Sequence, residues 1–194
     1  MAAPGGLALV QDFLNTKAIQ NHQDLLADPV LARQWLTGAV TAWSSTRDGE
    51  LSVPALTNAD VSRLRTLRAA IARLVAGDDT VGAGIGSVPA TFTLSDSGEM
   101  RWEPVDSGWR WVASALCGEI LLGQQRDLWR RLKQCHNPDC GSAFYDRSKN
   151  NSGVWHSVKG CGNAANLRAS RARRRARTSD GDATDSGTQE DHTT

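Results

Sequence analysis

A chain of 194 residues with 40% apolar and 22% charged residues has room for one ordinary globular domain plus a small module, and its composition excludes wholesale disorder. No run approaches the roughly 18 unbroken apolar residues of a membrane span, and Met1–Gly6 puts no basic cluster ahead of a hydrophobic stretch, so the expectation is a cytoplasmic protein with reduced thiols and no secretory leader. The net charge of +1 conceals three blocks: −4 over residues 1–125, +10 over 126–177 (13 Lys and Arg against 3 Asp and Glu), and −5 over 178–194. The central block has the charge expected of a surface that meets nucleic acid.

In chain order, Leu7, Leu9, Val10, Phe13, Leu14 and Ile19 share a helical face and predict a helix over 7–20. A second helix starts after Asp28, with Pro29 at its first position and Val30, Leu31, Trp35 and Leu36 as its apolar stripe. Asp48-Gly49 and Pro54 mark a loop. Asn58 suits the N-cap of a third helix, in which Val61, Leu64, Leu67, Ile71, Leu74 and Val75 recur at helical spacing. Arg63, Arg65, Arg68 and Arg73 then decorate its solvated faces.

Gly77–Gly86 reads as a flexible connection; its glycines lack the Gly-Lys-Ser/Thr that a phosphate loop needs. Ala90–Leu94 and Met100–Glu103 predict a hairpin turning at Ser95–Gly98, its first arm alternating as a half-buried strand does. A helix follows over 108–134, with Trp111, Leu116, Ile120, Leu121 and Leu128 inward and Cys117 as a small buried hydrophobe. Gly118 and Gly123 each weaken that helix by roughly 1 kcal/mol relative to Ala, so packing must hold it. The tryptophans read as core anchors.

The chemistry is concentrated in Cys135-His-Asn-Pro-Asp-Cys140, fifteen residues, then His156-Ser-Val-Lys-Gly-Cys161. Two ligand pairs, each separated by four residues, flank a short segment of finger-loop length. Asn137-Pro138 and Gly160 favour tight turns that let ligands converge, and Phe144, Tyr145, Val154 and Trp155 offer an apolar shield. Three thiolates and an imidazole suit tetrahedral Zn²⁺, and four protein ligands leave no position for water, which argues for a structural rather than a catalytic ion. His136 is the rival of His156, but it adjoins Cys135, and adjacent residues reach one ion with difficulty.

At these residues the chain resembles the CGNR zinc-finger proteins, a bacterial group described as "putative stress-induced transcription regulators". The resemblance rests on Cys135-x4-Cys140 with its Asn137-Pro138-Asp139, on Trp155-His156-Ser157 and on Cys161-Gly162-Asn163; Leu7 to Thr16 also looks like the opening of the helical domain that precedes the finger in that group. Two departures stand out: His156 replaces a family cysteine, and Ala164 replaces the signature arginine.

The expected fold is mainly α (α+β): a helical domain over 1–134 with one hairpin near 90–104, a finger with a basic helix over 135–177, and a disordered acidic tail over 178–194. Asn163 is a suitable N-cap for that basic helix, which carries Arg168, Arg171 and Arg175 on one face, widened by Arg173, Arg174 and Arg177. Arginine matches phosphate oxygens and guanine edges. The expected function is zinc-dependent nucleic-acid binding, DNA before RNA, with the N-terminal domain supplying homodimerisation or small-molecule effector sensing. The alternatives are a zinc-stabilised protein-interaction or RNA-binding module and a thiol-based redox sensor. No catalytic motif stands out, so no enzyme is expected, nor a membrane partner.

Overall fold

The computed structural model describes residues 2–19, 22–47, 51–78 and 86–182, with the backbone alone over 175–182. Two compact units result, Met1–His156 and Ser157–Thr194. The first holds α1 (Leu7–Leu14), α2 (Pro29–Ser44), α3 (Asn58–Val75), a hairpin of β1 (Ala90–Leu94) and β2 (Met100–Pro104), α4 (Gly108–Gln125), and a short antiparallel pair, β3 (Leu132–Gln134) and β4 (Ala143–Tyr145). The second holds a π-helical turn, Val158–Gly162, running into α5 (Asn163–Asp182). The architecture is mainly α with two small two-stranded sheets among the described residues. None of the described helices is long and apolar enough to cross a membrane.

Local chemistry accounts for the helix starts. The Asp28 side chain accepts the Val30 and Leu31 N–H groups at the head of α2, with Pro29 in the first turn where its missing N–H costs nothing. In α3 the cap is Thr57, not Asn58: its hydroxyl accepts the Asp60 N–H while the Asp60 carboxylate takes the Thr57 N–H, a reciprocal box that Asn58 has no partner to form. Asp60 also accepts the Trp109 N–H at the head of α4. Burial works against its ionised form, yet these hydrogen bonds outweigh it and lower its pKa. A β-carbon at Gly108 would lie 2.5 Å from Asp60 Oδ1, so only glycine lets the two helix starts approach this closely.

Several expected boundaries shift. Helix α1 stops at Leu14, and Ile19 instead pairs with His22 in an isolated bridge. Helix α4 ends nine residues early: Asp127 takes a left-handed conformation (φ 57°) and the Leu128 N–H reaches back to the Gly123 carbonyl, a Schellman-type stop that frees Leu132–Gln134 to pair with Ala143–Tyr145. The core side of α2 is Ala32, Leu36, Ala39, Val40 and Trp43, while Val30 is 66% exposed. On α4, Leu121 likewise turns outward. Strand β1 is exposed on both faces rather than half-buried; its partner Trp102 is the residue that reaches the core. Gly77–Gly86 falls mostly outside the described residues.

One core unites the elements of the first unit, with Phe13, Leu26, Leu36, Leu64, Leu67, Ile71 and Leu116 fully buried. The two α4 glycines are contact points. A β-carbon at Gly118 would lie 2.2 Å from the Trp102 ring, and one at Gly123 would lie 2.8 Å from Leu7, so packing indeed holds the helix they weaken. Cys117 is partly buried in α4, and burial pushes its thiol pKa up, as for an inert packing residue.

Arg68 is not the solvated residue its position on α3 suggests. Its guanidinium donates to both Asp24 carboxylate oxygens (2.8 and 2.6 Å) and to the Thr16 hydroxyl (2.9 Å), fastening the α1–α2 connection to α3. Those bonds, more than the opposing effect of burial, hold the Asp24 carboxyl below its ordinary value of 3.8. A depressed carboxyl contributes stability above its unfolded pKa and loses it as pH falls through the folded value. We predict that Arg68→Met costs about 2 kcal/mol in urea unfolding at pH 7, between exposed and fully buried pairs. The gap to wild type should narrow as pH drops below about 4; a gap that is constant with pH would rule out this ion pair as the cause.

Candidate metal centre and arginine helix

The β3–β4 pair forms the base of a knuckle. Cys135 N–H donates to the Ser142 carbonyl (2.8 Å), and Cys140 and Gly141 N–H both donate to the Asn137 carbonyl (2.9 and 3.1 Å), closing the turn that Asn137-Pro138 begins. Gly141 takes φ 58°, a left-handed conformation open to glycine. The Ser142 N–H and hydroxyl face the Cys140 sulfur at 3.4 and 3.1 Å. His156 Nδ1 lies 3.3 Å from that sulfur.

Across the loop between the ligand pairs, a buried ionic network sets the chain's path. Lys133 Nζ donates to the Asp146 carboxylate (2.8 Å) and to the Asn151 and Gly153 carbonyls (2.6 and 3.1 Å). Asp146 also accepts the Ser148 and Gly153 N–H groups at 2.8 and 2.6 Å, while Arg131 donates to the Asp146 and Ser148 carbonyls. Burial alone would raise the Asp146 pKa; the Lys133 ammonium and these donors reverse the sign and hold it well below the carboxylate range. This network fixes the chain as far as Gly153, three residues before His156.

Cys161 stands in the π-helical turn that opens α5. Ser157 caps the turn, its hydroxyl accepting the Gly160 N–H, and the Cys161 and Gly162 N–H groups bond the Ser157 carbonyl. The cap is therefore Ser157 and not Asn163, which already has helical φ and ψ, because the helical turn begins six residues earlier than alanine and arginine content suggests. The ligand atoms of Cys135, Cys140, His156 and Cys161 all lie within 4.8 Å of one another. The three cysteines are buried and His156 is exposed.

That donor set fits zinc. Tetrahedral Zn²⁺ bonded at about 2.3 Å to sulfur and about 2.0 Å to nitrogen places its ligand atoms roughly 3.6–3.8 Å apart, within the span observed. His136 is not among the group; its ring meets Trp155 edge-on at 6.0 Å. The expected apolar shield is divided. Tyr145, with Ala143 and Leu132, belongs to the main core, while Val154 is 37% exposed.

Sequence reasoning missed the fixture beneath this centre. The Asn15 side-chain amide donates to the Ala143 carbonyl (3.0 Å) and accepts its N–H (2.8 Å), so α1 pairs with β4 as a neighbouring strand would. Gln11 adds a second bond to that carbonyl and accepts the Ala3 N–H. Polar residues four apart beside the buried face of α1 were the available signal.

In the second unit, Arg168, Arg171, Arg173 and Arg174 are exposed along α5. The side chains of Arg175 and Arg177 lie outside the described residues, although the helix backbone runs through both and on to Asp182, into the segment expected to be disordered. The rest of that acidic tail, 183–194, lies outside the described residues.

Two family models match the chain: one described as "CGNR zinc finger" over residues 131–174, and one described as "Putative stress-induced transcription regulator" (ABATE) over residues 7–124. No curated protein matches it.

Proposed function

Given that the chain belongs to the ABATE family, described as "Putative stress-induced transcription regulator", and carries a CGNR zinc finger behind that domain, we propose that it is a cytoplasmic, zinc-dependent DNA-binding regulator that reads duplex DNA with α5. The observation that carries this reading is continuity: Cys161 sits in the turn from which the arginine helix propagates without a break. A ligand there immobilises the first turn of α5, and rigid presentation reduces the entropy lost when arginines settle on phosphates. Ala164 removes the family's signature arginine; Arg168, one turn further on and exposed, is the nearest replacement.

On this reading the ion is structural and the protein is a binder, not an enzyme, because Cys135, Cys140, His156 and Cys161 fill a tetrahedral centre. The Met1–His156 unit supplies effector sensing or dimerisation. Fluorescence anisotropy with a duplex at low salt tests the proposal. Affinity should fall steeply with salt, and Arg171→Ala combined with Arg175→Ala should flatten the log–log salt slope by about 2. Binding to single-stranded RNA but not to duplex DNA would move the protein to the RNA class, and nuclease-resistant capture of an acidic protein would make it an interaction module. Salt-insensitive affinity would reject phosphate contact altogether.

A further inference from the structure

Beside the knuckle, wholly within the Met1–His156 unit, lies a cavity of about 530 Å³ lined by Asn15, Lys17, Ile19, His22, Gln23, Leu25, Cys140, Ser142 and His156. That volume lies in the range of small-molecule sites. Its lining divides by chemistry. Ile19 and Leu25 make an apolar side, Lys17, His22, Gln23 and Ser142 bring hydrogen-bond donors, and no carboxylate is among the described lining residues. The half-buried Lys17 ammonium lies against the knuckle turn, where a β-carbon on Gly141 would come within 2.7 Å of Nζ.

We propose that this cavity binds a small organic anion, its acidic group on Lys17 and its carbon body against Ile19 and Leu25. The electrostatics permit it. Three thiolates on Zn²⁺ leave a net −1, whereas residues 126–156 carry six Lys and Arg against three Asp, and Lys17 adds one more positive charge. A cation would meet the Lys17 ammonium, and a wholly apolar guest would bury that ammonium without a partner. The wall contains Cys140 and His156, so an occupant lies beside two of the candidate metal ligands. Asn15, also in the wall, is the residue that ties α1 to β4. The site thus places an effector against the finger, a step beyond DNA binding that stands whether or not α5 contacts DNA.

The test is titration of the zinc-loaded full chain with hexanoate, inorganic phosphate and hexylammonium, followed by amide NMR. Saturable shifts at residues 15–25 and 140–142 with hexanoate are expected, and none with hexylammonium. Lys17→Met should weaken hexanoate at least tenfold with zinc content unchanged, and Lys17→Arg should retain it. At saturating hexanoate, zinc transfer to a chelator should slow at least threefold. Phosphate binding as tight as hexanoate would make the site a plain phosphate pocket and overturn the organic-anion assignment. Shifts confined to the arginine helix, no saturable shifts, or equal affinity in Lys17→Met would overturn the site itself. An unchanged zinc-release rate would overturn its link to the finger.

Discussion

Stripping the metal with a strong chelator should release Val154 to the start of α5 while leaving β3 and β4 in place. An isolated zinc finger owes about 10–16 kcal/mol to its ion and unfolds without it. Here the first half of the finger has other support. Leu132, Ala143 and Tyr145 lie in the main core, and Asn15 supplies both hydrogen bonds that a neighbouring strand would give Ala143. The turn that carries Cys161 is built on the Ser157 cap and on the ligand cluster rather than on the main core. Hydrogen exchange should therefore show lost protection at His136, whose N–H donates to the Val154 carbonyl (3.0 Å), and at Cys161 and Gly162, with Val10, Leu64 and Leu116 still protected. Cys140→Ser should reproduce that pattern without chelator and weaken duplex DNA binding at least tenfold, since a loosened first turn no longer fixes the arginines. Uniform loss of protection through α1 to α4 would show that the ion holds the whole domain together. Unchanged protection at Cys161 and Gly162 would show that these four residues hold no ion.

What could be read from the residues alone follows physical range. The ligand group was legible because its chemistry is local: paired sulfurs at short spacing, turn residues between them, and an imidazole at a matching distance. Helices α2 and α3 were legible for the same reason, through periodicity and, for α2, the Asp28 cap, whereas the α3 cap is Thr57 in place of the expected Asn58. The misread features are those decided by distant partners. Arg68 looks like any surface arginine until Asp24, 44 residues away, is brought to it. Leu132–Gln134 continued the helical pattern of α4, and only a left-handed Asp127 and the edge offered by Ala143–Tyr145 turned it into a strand. Phe92 and Leu94 alternate with threonines as a buried strand would, yet nothing among the described residues covers them. The finger looked self-contained because sequence shows Tyr145 beside Phe144, not in the core it joins.

Replacing Glu119 with alanine should cost about 3 kcal/mol, near the lower end for a buried charge stripped of its partner. Glu119 is 6% exposed, and its carboxylate meets three neighbours. It accepts the Trp43 indole N–H at 2.9 Å and the Arg47 guanidinium at 3.0 Å. It also presses so closely on the start of α1 that a β-carbon on Gly6 would overlap it. Arg47 in turn lies between the Trp43 and Trp102 rings, 4.7 and 4.6 Å from their centroids, and donates to the Trp102 carbonyl. Removing the carboxylate leaves a guanidinium enclosed by two indoles, with cation–π attraction and one carbonyl to offset its lost partner. For a chain of this size the deficit corresponds to a fall in Tm of roughly 6–12 °C. Glu119→Gln keeps the Trp43 acceptor and the packing, so it should lose about half as much, the charge-assisted share. The double variant Glu119→Leu, Arg47→Met separates the two possible roles. If the pair chiefly satisfies itself, the apolar replacement should recover most of the stability lost in Glu119→Ala. If the double variant is no more stable than Glu119→Ala, then Arg47 is needed in its own right as the bridge between α2 and the hairpin.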